Sequence, residues 1–122
     1  MASELRVNTL KDASGNNSVA VSTVFDGTAK AYVKGTNSAG LTDSYNVSGG
    51  TDNGTGDYTY ALTNNMASAN YVEMTNTTYA SLSAYDTGEL ATSSYNVRLF
   101  QRFDSITAVD DVNHSQITGD LA

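Results

Sequence analysis

Residues 42–62 read TDSYNVSGGTDNGTGDYTYAL. In Thr42 to Ser48, Ser44, Asn46 and Ser48 alternate with Asp43, Tyr45 and Val47. In Asp57 to Leu62, Tyr58, Tyr60 and Leu62 fall on one face. A period of two with β-branched and aromatic residues is the pattern of a half-buried strand. Between the two lies Gly49 to Gly56, GGTDNGTG, rich in residues that tolerate positive φ. The segment therefore predicts a β-hairpin with a long Gly/Asn/Asp loop.

The pattern recurs on both sides. Ala29 to Val33 carries Tyr32 and Val33. Asn70 to Thr75 sets Val72 and Met74 against Tyr71 and Glu73. Ser94 to Phe103, SYNVRLFQRF, is the strongest strand, with Tyr95, Val97 and Leu99 on one face and a weakened alternation at Phe100-Gln101 that suggests a bulge or a second interface. Asp110 to Leu121 holds Val112, His114 and Ile117 in a polar frame and reads as a closing edge strand. Thr78 to Tyr85 is a weak strand candidate, overlapping the nearest approach to a helical period at Tyr79 to Leu90. Six or seven strands in this span predict an all-β, antiparallel fold, a β-sandwich or a jelly-roll-like barrel.

Residues 1–28 read differently. Leu5/Val7 and Val19/Val21 alternate around the turn-rich Asp12-Ala13-Ser14-Gly15-Asn16-Asn17, and Val24-Phe25 follow. These apolar groups are too sparse to fold alone. The expected organisation is an extended N-terminal arm, 1–28, used for docking or assembly, and an antiparallel β-domain, 29–122. The arm's candidate partner-binding residues are Leu5, Val7, Leu10, Val19, Val21 and Phe25.

Composition narrows the function. The chain has 122 residues, no Cys, no Pro, no Trp and a single histidine, His114. Disulfides, zinc-thiolate sites and Cys nucleophiles are excluded. Thirteen acidic against six basic residues give a net charge of -7, which opposes binding to a phosphate backbone. No apolar run reaches the ~18 residues of a membrane span. Leu, Ile, Val and Phe make up only about 19% of the chain, near the range where disorder sets in. Eight Tyr and many Thr offset this as strand residues. A small domain with so little aliphatic surface gains from self-association, so an oligomer is expected.

Candidate chemical sites are weak. Asp52-Asn53-Gly54-Thr55-Gly56-Asp57 lacks the spacing of a calcium loop and reads as a turn; Asp110-Asp111, with Asp104, reads the same way. The three glutamates, Glu4, Glu73 and Glu89, form no hydrolase motif, and no GxSxG accompanies His114. No catalytic residue, metal or cofactor is expected. Tyr58 and Tyr60 share a face and serve equally as sugar platform, core or trimer interface.

The segment Asp43, Ser44, Tyr45, Asn46, Val47, Ser48 followed by Thr51 to Thr59 resembles a motif of tailed-bacteriophage virion proteins of the tail-fibre-like and minor structural type, often from phages of cyanobacteria. Ser3 to Val19, Ala29 to Val33, Met66 to Tyr71 and the closing Gly119-Asp120-Leu121-Ala122 are similar to segments of the same proteins in the same order. The chain departs at Lys34-Gly35-Thr36-Asn37, where those proteins continue with a hydrophobic Phe-Asn-Gly stretch, and it is shorter than many of them. The resemblance implies a virion component, non-enzymatic, located on the assembled particle: a small trimeric fibre or spike, or a capsid decoration (cement) protein, attached to capsid or tail by its arm. The alternative is a host-receptor or glycan-binding module, with contacts from distal loops at Asp52, Asn53, Thr55 and Asp57 and at Thr87 to Ser93.

Overall fold

A computed structural model describes residues 3–78, 82–87, 89–102 and 106–122. Among the described residues the fold is all-β and antiparallel, with one short helix. In the N-terminal region β1 (Thr9–Lys11) and β2 (Ser18–Ala20) pair as their own two-stranded sheet. Asp12 closes their turn, its Oδ1 accepting from Ser14 Oγ at 2.9 Å and its Oδ2 from Asn17 Nδ2 at 2.7 Å. Leu5 and Val7 precede this pairing, so the first expected arm strand starts later than its alternation suggests.

Helix α1 (Val21–Gly27) follows directly. It was not expected: Val21, Thr23 and Val24 are β-branched, its N-cap is an extended Ala20 with no side-chain cap, and its first turn carries no acid. The link that holds its start is tertiary, Val21 N–H to the Asn8 carbonyl at 3.0 Å.

From Ala29 onward the chain forms two larger sheets. One runs β4 (Leu41–Tyr45), β3 (Ala29–Gly35), β11 (Asn113–Thr118), β7 (Val72–Thr77). The other runs β10 (Ile106–Ala108), β9 (Ser94–Arg102), β6 (Asp57–Leu62), β5 (Val47–Gly54), with β8 (Leu82–Thr87) on the second edge of β9. Their inner faces share one core: Ala31, Val33 and Ile117 from the first, Tyr58, Tyr60, Tyr95, Val97 and Leu99 from the second. The strand period read in Asp57 to Leu62 and Ser94 to Phe103 places those inward residues correctly.

Three sequence expectations need correction. First, of Thr42–Ser48 only Val47 pairs within Asp57–Leu62, opposite Leu62, with Ser48 at a register shift. The chain turns at Asn46, which takes φ 56, and passes from β4 in one sheet to β5 in the other. Asn46 holds this corner: its Nδ2 donates to the Lys30 and Asn64 carbonyls at 3.0 and 3.1 Å, and its Oδ1 accepts from Asn64 N–H at 2.7 Å. Asn reaches the left-handed region more readily than other side-chain-bearing residues. Most of the expected loop is itself strand: β5 pairs with β6 through Gly54, and only Thr55-Gly56 turn.

Second, Asn113–Thr118 lies inside its sheet, paired with both β3 and β7. Its inward residues, Asn113, Ser115 and Ile117, are buried, and two are polar only because tyrosines meet them. Tyr60 O–H donates to Asn113 Oδ1 at 2.9 Å, and Tyr95 Oη and Ser115 Oγ share a hydrogen bond of 2.9 Å. Third, the irregularity in the β9 pairings falls between Ala84 and Thr87 of β8, while Phe100 and Gln101 pair regularly with Ser83 and Leu82. β8 is a strand, which overturns the helical alternative there; Phe103 and Asp104 lie outside the described residues.

These tyrosine–polar pairs explain how so few aliphatic residues suffice. Each ring fills the core while its hydroxyl is satisfied across the gap between sheets. Tyr60 and Tyr95 also contact each other, with ring centroids 5.6 Å apart. Space for Tyr60 comes from glycines: a Cβ at Gly35 would collide with its hydroxyl, and one at Gly50 would collide with the Ala39 carbonyl. The C-terminus is sewn in by a bridge between Met66 and Leu121 and by Ala67 N–H to the Asp120 carbonyl at 2.8 Å.

Candidate functional site

Three surfaces stand apart from the core. The first is the arm. Leu5 is 83% and Phe25 63% exposed; Val7, Leu10 and Val19 are also exposed, and Val21 is half-buried. No residue of α1 is buried. Lys30 ties the arm to the β-domain: its Nζ donates to the Phe25 carbonyl and to Thr28 Oγ1 and stands 5.7 Å from the centre of the Phe25 ring. The arm's apolar side chains therefore lie open to a partner.

The second is the outer face of the four-stranded sheet. Register aligns Tyr45, Tyr32, Gln116 and Met74 in one row across all four strands. Tyr32 and Tyr45 stack with centroids 6.1 Å apart and planes 23° from parallel. Met74 is 59% and Val72 60% exposed. The adjacent row is Asp43, Lys34, His114 and Asn76. A shallow concavity of about 600 Å³ lies over Tyr32, Lys34, His114, Gln116, Met74 and Asn76. The sequence signals Val72 and Met74 as a face but gives no cue that Tyr32 and Tyr45 meet them, because the register joining β4, β3, β11 and β7 is long-range.

The third is a polar cleft of about 310 Å³ on the outer face of the other sheet. Strand pairing sets Thr59 opposite Asn96 and Asp57 opposite Arg98. Asp57 Oδ1 accepts from Asn96 Nδ2 at 2.6 Å and from Asn53 Nδ2 at 3.1 Å, and its Oδ2 accepts from Arg98 Nε at 3.2 Å. Asn53 and Asn96 also donate to Thr59 Oγ1 at 2.7 and 3.2 Å. Glu89 joins the lining. Burial pushes the Asp57 carboxyl up, but the amides of Asn96 and Asn53 and the charge of Arg98 outweigh it and hold the group below its usual range. With both oxygens engaged, Asp57 is an anchor for the cleft rather than a base.

The four loop residues named from sequence separate here. Asn53 and Asp57 enter the cleft. Asp52 turns back to accept from Gly54 N–H at 3.0 Å, a local turn bond, and Thr55 sits exposed at the tip. Asp110 is a structural latch: its Oδ1 accepts from Gly56 N–H at 2.7 Å and from Tyr58 O–H at 3.0 Å. Tyr58 and Tyr60 are fully buried, so of their candidate roles the core one is realised. Among the described residues there is no group of three His, Cys, Asp or Glu placed to hold a metal, and no helix is long and apolar enough to cross a membrane.

No protein-family model matches the chain, and neither a curated protein nor a solved structure does.

Proposed function

We propose that the chain is a non-enzymatic structural component of a tailed-bacteriophage particle, a small homotrimeric fibre, spike or capsid decoration protein with a sandwich-like β-domain. The observation that carries the reading is the arm: a chain poor in aliphatic residues leaves Leu5, Leu10 and Phe25 in solvent, a waste of apolar surface unless a partner covers it. The arm docks on capsid or tail protein, aided by strand addition at the open edges of its β1–β2 sheet, where main-chain hydrogen bonds supply affinity without a large apolar patch. The segments of phage-virion resemblance support the choice of particle.

The trimer forms through the other uncovered apolar surface, the row of Tyr45, Tyr32 and Met74 with Val72. A closed ring covers this face and stops open-ended growth. The net charge of -7 keeps the remaining surface soluble.

The reading is tested on particles. Phage carrying Leu5→Ser, Leu10→Ser and Phe25→Ser in this chain are purified, and the chain is quantified against the major capsid protein by mass spectrometry. Wild-type chain is expected at a fixed ratio and the variant at background. Retention of the variant at the wild-type ratio, or absence of the wild-type chain from particles, overturns the reading.

A further inference from the structure

Asn96 gives the polar cleft its meaning. It is outward-facing on β9, between the inward Tyr95 and Val97, yet only 9% exposed. Its Nδ2 is spent on Asp57 and Thr59, and its Oδ1 is buried with no hydrogen-bond partner. Leaving a buried acceptor unpaired costs about 1–3 kcal/mol, and such a group in a native fold calls for a reason.

The surrounding groups define what would relieve it. Both Asn53 amide hydrogens are spent on Asp57 and Thr59, so the cleft offers acceptors on Asn53 Oδ1, Asn96 Oδ1 and Glu89 and a donor on the Thr59 hydroxyl, with Asp57 and Arg98 neutralising each other at 3.2 Å. A phosphate or sulfate would face the carboxylates of Asp57 and Glu89. A metal cation would face the Arg98 guanidinium and find the Asp57 oxygens already engaged. An apolar group would find Ala91 as its one aliphatic contact in the lining. An uncharged ligand with closely spaced hydroxyls, each both donor and acceptor, satisfies the set. At about 310 Å³ the space far exceeds the ~10–15 Å³ needed for one water.

We propose that this cleft, between the outer face of β6–β9 and the segment 89–94, binds a saccharide residue, with a ligand hydroxyl donating to Asn96 Oδ1 and others engaging Asn53, Thr59 and Glu89. Asp57 is a positioning residue that holds the two asparagines, and Arg98 holds Asp57. Sugar contact is thereby placed at the cleft rather than at the loop tip around Asp52 and Thr55. The proposal is independent of the arm and of the trimer.

The test is a titration of the full, isotope-labelled chain with D-glucose, D-galactose, N-acetyl-D-glucosamine and L-rhamnose in turn, followed by amide and side-chain NMR. At least one sugar is expected to give saturable shifts of the Asn53 and Asn96 side-chain amides and the Arg98 Nε–H. Asn53→Ala, at an exposed position, weakens that binding about tenfold, as expected for one lost hydrogen bond of about 1.4 kcal/mol. Asn96→Leu abolishes it; if that variant fails to fold, Thr59→Val supplies the second measurement, with a similar tenfold loss expected. No saturable shift with any of the four sugars overturns the proposal. So does unchanged affinity in Asn53→Ala and Thr59→Val, or a response confined to Tyr32 and Tyr45, which would move recognition to the stacked tyrosines.

Discussion

Replacing Tyr60 by Phe removes one oxygen from the middle of the molecule and leaves the ring in place. In the native fold that hydroxyl donates to Asn113 Oδ1 at 2.9 Å, between fully buried residues of opposite sheets. Asn113 Nδ2 already lacks a partner, so Tyr60→Phe deprives its amide of the Oδ1 bond as well. An unpaired buried acceptor costs about 1–3 kcal/mol, whereas replacing both partners by apolar groups of similar shape is nearly neutral. The single variant is therefore expected to lose about 2 kcal/mol. With a urea slope of roughly 1–3 kcal/mol/M, the unfolding midpoint falls by about 1 M. The double variant Tyr60→Phe/Asn113→Leu recovers most of this loss. Urea unfolding followed by far-ultraviolet circular dichroism measures both. A Tyr60→Phe midpoint equal to wild type, or a double variant weaker than the single one, would refute the view that tyrosine–polar pairs join the two sheets.

Two further outcomes follow from the same core. Gly50→Ala places a Cβ against the Ala39 backbone carbonyl and within 3.0 Å of the Tyr60 ring; overpacking of this kind costs about 1–3 kcal/mol, while Gly49→Ala, with nothing nearby, changes stability little, and thermal unfolding of the pair shows the contrast. Alkaline pH selectively destabilises the fold: burial pushes the Tyr71 hydroxyl up to about 12 from an ordinary 10.0, and Tyr58 and Tyr95 are raised as well. Unfolded tyrosines ionise first, so stability is complete below pH 10 and declines as pH rises toward 12; urea midpoints across that range should fall, and less steeply in Tyr71→Phe.

The strands were legible where alternation ran unbroken with large residues. Tyr58, Tyr60 and Leu62, and Tyr95, Val97 and Leu99, read as one face each, and each face is buried. Legibility failed where polar residues occupy inward positions. Asn113 and Ser115 made an internal strand look like an edge, because the tyrosines that satisfy them come from another sheet, 53 and 20 residues away in the chain respectively. It failed again at Asn46, where one residue with positive φ moves the chain between sheets while the flanking alternation continues as though nothing had happened. The cleft shows the same limit. Asn53 and Asp57 read from sequence as part of one loop set with Asp52 and Thr55, but Asn96 and Arg98 join them only through the β6–β9 register. The helix Val21–Gly27 carries no local signal and is set by its surroundings.

Assembly is the central claim, and it is tested most directly by solution mass. Light scattering on a sizing column is applied to the full chain and to a chain beginning at Ala29. If the row of Tyr45, Tyr32 and Met74 forms the trimer and the arm is reserved for the particle, both species run at three times their own chain mass, from a full chain of 12.8 kDa. A trimer for the full chain alone would make the arm the trimerising element, and single-chain mass for both would contradict the account.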